Sequence, residues 1–178
     1  MTTADEFRAL PAAENAERWL IRGRLMTRPM PNTAPLIQGT ALALARHLDR
    51  WVSALPAPGV EVWSDGGYTL AHDPDTCVRF PLAVVPGRPH FDDAGWTPAL
   101  PSVAVEVICG PERCGDMWDR TAEYMRCGVP LLWLLYPHHG YVTVHRPGAA
   151  VRAVNRTGTL TAEAELPGFA CPVAELFE

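Results

Sequence analysis

Apolar residues recur at alternating intervals of four and three along Ile37, Ala41, Leu44, Leu48, Trp51 and Leu55. This places one stripe on a helix over Leu36–Ala54 and leaves Arg46, Asp49 and Arg50 on its outer side. Pro56-Ala-Pro-Gly59 ends it. A different pattern begins at Val103-Ala-Val-Glu-Val-Ile108, a nearly unbroken β-branched run of the kind shown by a strand covered on both faces. Asp116–Cys127 predicts a second helix, with Met117, Thr121 and Tyr124 on one face, Gly128 placed as a C-terminal cap and Pro130 as a stop. Leu131–Tyr136 is a second buried strand. Strand, helix and strand predict a right-handed βαβ crossover over 103–136. Glu106 is the one ionisable group inside its first strand, which marks it for chemistry.

The remaining segments are shorter. Met1–Asn15 is a lead-in with a helical turn near Ala13–Ala16. Glu17–Met26 alternates apolar and charged residues around Gly23, as two short strands joined at a glycine turn do. Pro29–Pro35 is a loop. Val60–Trp63 and Tyr68–Leu70 flank Ser64-Asp-Gly-Gly67, which has the chemistry of a hairpin turn or a bulge. His72–Asp75 is a turn. Val78–Val85 is a strand interrupted by Pro81; since proline cannot donate to a ladder, the strand is at a sheet edge, bulged, or pressed into unusual service. Gly87–Ala99 is a turn-rich connection, and Tyr141–Arg146 with Val151–Val154 forms a hairpin. Leu160–Phe177 closes the chain with a short strand, a loop at Leu166–Ala170 and a helical turn. The whole predicts an α/β (α+β) fold in one domain, 16–178, behind the lead-in 1–15.

Composition narrows the classes. The 178 residues suffice for one full core and not for two comfortable ones. No apolar run is long enough to span a membrane, and the opening MTTADEFRAL lacks the pattern of a secretory signal, so a cytoplasmic protein is expected. The five cysteines, Cys77, Cys109, Cys114, Cys127 and Cys171, are never spaced as CxxC and indicate neither a disulfide framework nor a zinc site. All fifteen basic residues are arginine, and with eighteen prolines the composition is that of a GC-rich genome. A net charge of −5 weighs against tight non-specific binding to nucleic acid, leaving room for a local arginine-lined groove.

The order of parts then becomes familiar. A WLIRGRL hairpin, a long helix, a VAVEV strand, a helix running from Asp116 through Arg120 and Tyr124 to Gly128-Val-Pro, a WLLYP strand and a closing LPGF with VAELF resemble the Uma-two family of putative restriction endonucleases. The resemblance runs from about Glu17 to Phe177 and is most specific at Ala104–Val107, Tyr124–Trp133 and the closing tail. It implies the PD-(D/E)xK nuclease superfamily, with a restriction-endonuclease-like mixed β-sheet flanked by helices. In such a nuclease two acidic side chains hold a divalent metal that polarises the scissile phosphate and activates water, while a lysine positions that water.

Carried over residue by residue, the match is partial. The second acid is Glu106, which becomes the candidate metal ligand and catalytic group. The first acid falls at Pro81 or Leu82, and neither binds a metal. The lysine position is Arg120, permanently charged and a poor proton shuttle. An aspartate usual after the tryptophan strand is Tyr136, a histidine near the start of the long helix falls at Ala34 or Pro35, and the turn after the glutamate strand is Cys109-Gly-Pro111. Glu61, Asp65, Asp73 and Asp75 are the available replacement acids.

Plainer readings stand beside these. Glu106 and Arg120 form a structural ion pair, or Arg120 pairs along its own helix with Asp116 and Glu123. His138 and His139 lie in an exposed turn, while Trp118, Tyr124 and Trp133 are core residues. Cys109 and Cys114 lack a base at a defined spacing. The lead expectation is a catalytically degenerate relative acting as a non-catalytic binding or interaction module, a homodimer as similar folds often are. The alternative is an active Mg²⁺-dependent DNA endonuclease that uses Glu106 with Arg120 in place of lysine. DNA binding without cutting, through Arg79, Arg88, Arg113 and Arg120, is a third. On the lead reading Glu106→Ala leaves the fold intact and relieves an uncompensated buried carboxylate.

Overall fold

In a computed structural model, all residues are described except 12, 31, 58 and 111–113, with the backbone alone at 114–116. The chain opens with a short helix, α1 (Ala4–Arg8), closed by a capping box in which Thr3 and Glu6 exchange side-chain and backbone bonds. Strands β1 (Ala16–Ile21) and β2 (Arg24–Pro29) form a hairpin whose turn residues, Arg22 and Gly23, both have positive φ. The long helix α2 (Ala34–Ala54) follows, with proline in its first turn and Ile37, Ala41, Leu44 and Leu48 buried. Next come β3 (Val60–Ala71), β4 (Thr76–Pro86), the two-residue β5 (Trp96–Thr97) and β6 (Val103–Val107). Helix α3 (Cys114–Arg126) leads to β7 (Leu132–Tyr136), β8 (Tyr141–His145) and β9 (Arg152–Asn155). A separate hairpin, β10 (Thr159–Ala162) and β11 (Leu166–Pro172), and a 3₁₀ turn at Val173–Leu176 complete the chain.

The main sheet has nine strands. Its path is β2-β1-β4-β6-β7-β8-β9, with β3 and β5 attached beside β4. Among the described residues the only parallel pairs are β6 with β7, across the expected α3 crossover, and β3 with β5. Alternation along β6 sorts the layers: Val103, Val105 and Val107 pack with α2 and the β10–β11 hairpin, whereas Ala104 and Ile108 pack with Met117 and Tyr124 of α3. No helix among the described residues is long and apolar enough to cross a membrane.

Five expectations require correction. Strand β4 is not an edge: β3 runs along one side of it, and β1 and β6 share the other. Proline is tolerated because that second side forks. Leu20 of β1 bonds at Cys77 and β6 bonds at Leu82–Val84, so Arg79–Pro81 face the gap between them. Val60–Ala71 is one continuous strand: its pairing with β4 keeps register past Asp65, whose φ is 53°, and shifts only between Thr69 and Ala71. The N-terminal helix lies at Ala4–Arg8, not near Ala13–Ala16. Leu166–Ala170 belongs to a strand. Trp118 is 73% exposed and not core, because α3 turns Met117, Thr121 and Tyr124 to the sheet.

Candidate functional site

The fork in the sheet creates the site. Where β1 and β6 part along β4, a cavity of about 520 Å³ passes through, lined on one side by Trp19, Glu106 and Arg120 and on the other by Arg18, Arg79 and Trp96. Glu106 enters it because strand alternation turns Ala104, Glu106 and Ile108 toward α3. Arg120 and Tyr124 meet it because they are one helical turn apart on the face of α3 that covers the sheet.

The three groups close a triangle. Arg120 Nη2 and Tyr124 Oη both donate to Glu106 Oε1, the latter at 3.0 Å, and Arg120 Nε donates to Tyr124 Oη at 2.9 Å. All three are buried; Glu106 is 2% and Arg120 6% exposed. Trp19 stacks on the guanidinium of Arg120 at 4.7 Å and carries Arg28 at 5.0 Å. Burial, the largest single influence, would lower the Arg120 pKa, but the Glu106 charge together with Tyr124 and Glu17 outweighs it and the net shift is upward. Burial also raises the Tyr124 pKa, keeping the phenol neutral and donating.

Of the plainer readings, the Glu106–Arg120 ion pair is the one observed. Glu123 turns away from Arg120, accepting from Arg126 at 2.7 and 2.9 Å and from Thr76 at 2.8 Å, with its pKa lowered chiefly by Arg126. Asp116 lies outside the described side chains, and Arg113 outside the described residues. His138 and His139 are exposed, and Tyr124 and Trp133 are core as expected. Leu82 faces the α2 core. Among the replacement acids, Asp75 caps the start of α1, accepting from Ala4 N at 2.6 Å, and Glu61 bonds Trp63 Nε1. Asp65 alone lines the cavity with Glu106.

The donor set around Glu106 does not fit a divalent cation. A guanidinium and a phenol donate to the oxygen that a cation would take, and among the described residues no three His, Cys, Asp or Glu side chains gather. Trp19 and Arg18 are members of the site that sequence reasoning missed. An aromatic residue between arginines in the opening hairpin is the only local sign of them.

The mixed sheet, forked along β4, is shared with a nuclease-like protein of known structure. The chain matches a solved structure of a putative nuclease belonging to DUF820 from Anabaena variabilis ATCC 29413, with a TM-score of 0.81 at 17% identity, covering 99% of this chain and 98% of that one. The profile of the Uma2 family, described as Putative restriction endonuclease, matches residues 4–174, and the chain belongs to that family. No curated protein matches it.

Proposed function

We propose that this Uma2 protein is a catalytically degenerate member that acts as a non-catalytic binding module, its buried carboxylate held by an internal cation. The observation that carries this reading is the engagement of Glu106 Oε1 by both Arg120 and Tyr124. A metal would have to displace a guanidinium stacked on Trp19, and only a lone carboxylate would reward it. The test is a thermal melt with millimolar Mg²⁺ or Mn²⁺, together with incubation on plasmid DNA. No metal-dependent rise in Tm and no cleavage are expected. Mn²⁺-dependent cleavage that disappears in Glu106→Gln overturns the reading.

Asp65 favours a second reading, an active Mg²⁺-dependent endonuclease using Glu106 with Arg120 in the lysine role. The Asp65 carboxylate has no hydrogen bond or ion pair among the described residues and lines the same cavity. On that reading Asp65→Asn and Glu106→Gln each remove metal-dependent cleavage.

A further inference from the structure

The part of the cavity away from Glu106 has a charge arrangement that the ion pair does not explain. Leu20 stands opposite Cys77 in the β1–β4 pairing, and two residues beyond that rung, where the strands part, Arg18 and Arg79 both line the cavity. Both arginines lie on the face that Leu20 and Cys77 share with Phe7 and Trp96. Like charges gathered in one cavity repel unless something offsets them.

Among the described residues no carboxylate bonds to either guanidinium. Arg18 Nη1 donates to the Pro11 carbonyl at 2.8 Å, and Arg79 donates to the carbonyls of Asp65 at 2.9 Å and Ala94 at 3.0 Å. Each guanidinium is therefore oriented by neutral acceptors and keeps its full charge. Stacking on Trp96 at 4.8 Å fixes the plane of Arg79 further. Of the carboxylates that line the cavity, Glu17 is taken by Arg28 and Glu106 by Arg120, and Asp65 presents Arg79 with its main-chain oxygen. Arg8 lines the cavity too, but is paired with Asp5.

We infer that Arg18 and Arg79 form a subsite for the phosphate group of a small phosphorylated molecule, whose organic body lies against Trp96 and Phe7. Guanidinium forks match phosphate oxygens, and preset orientation limits the ordering lost on binding. The size favours a metabolite over a duplex. The chamber, at about 520 Å³, falls among small-ligand sites, and Phe7, Leu10, Pro11 and Ala13 wall it on the N-terminal side. The inference rests on the reading of this cavity as a binding site and names its ligand class.

Isothermal titration of the full chain tests it, with inorganic phosphate, adenosine 5′-monophosphate and a short single-stranded oligodeoxynucleotide lacking terminal phosphates as probes. Saturable binding of both phosphate probes is expected, the nucleotide tighter. Arg18→Gln and Arg79→Gln should each weaken it by about tenfold or more. Arg79 also ties two loops together, so Arg18→Gln, which loses one surface bond, carries the test if the other variant melts early. Failure of both phosphate probes to bind, affinity unchanged in Arg18→Gln, or an oligonucleotide binding more tightly than the nucleotide overturns the inference. The Mn²⁺ melt reads Glu106 alone, so the two readings fail separately.

Discussion

Pro81 and Glu106 line the same cavity, each one residue beyond the last β4–β6 rung, which pairs Leu82 with Val105. A carboxylate at 81 would therefore share a cavity wall with Glu106, whereas proline offers neither a ligand atom nor an N–H.

That relationship predicts a repair. In a Pro81→Asp/Arg120→Lys protein two carboxylates flank the cavity, and the guanidinium that binds Glu106 is gone. Thermal melting with and without Mn²⁺ should show a metal-dependent rise in Tm for the double variant and none for the wild type. An equal rise in both would mean that the native site already holds a cation.

Loss of Glu106 is predicted to destabilise. Alanine at 106 would relieve strain if the carboxylate were uncompensated, but Arg120 is buried against it, so Glu106→Gln strands a guanidinium at a cost of about 3–5 kcal/mol. A Glu106→Gln/Arg120→Met protein should recover much of that loss. Urea unfolding of the two variants beside the wild type measures the difference, and a single variant as stable as the wild type would refute the argument.

Acid sensitivity should begin near neutrality. Burial lowers the pKa of His145 below 6.5, and burial, with help from Arg50, lowers that of His47 against the opposing pull of Glu175. Each folded state binds its proton less readily than the unfolded chain, so the stability contributed is complete above pH 6.5 and is lost as pH falls through the lowered values. At lower pH, Glu123 and Asp75, whose pKa values lie below the ordinary carboxylate value through bonds from Arg126 and the Ala4 amide, add a second loss. Urea midpoints measured across this range should flatten near pH 6 in His145→Gln.

Asp65→Asn should tighten phosphate binding. The substitution removes the one lining carboxylate without a cationic partner among the described residues, and asparagine tolerates the φ of 53° found at this position. The same titration reads a lower Kd. A higher one would show that the carboxylate helps to orient Arg79.

The helix α2 and the 103–136 crossover were legible because their periodicity is local and long. The Glu106–Arg120 pair was legible because helix and strand phase fix which residues face each other. The position of β4 was not. The rule that proline belongs on an edge assumes one neighbour for the whole side of a strand, and here two neighbours leave Pro81 between them. Trp118 was misjudged because residue type says nothing of which helical face the sheet covers. Trp19 meets Arg120 from a hundred residues away, and α1 is too short for periodicity to reveal.

Asp65 and Pro81 also line a second recess, of about 620 Å³, on the α2 side of the sheet. Together with Glu17, Met30 and Ile37 they form a party wall between two compartments. Enlarging either compartment through these residues reshapes the other, so the two recesses are constrained to change together.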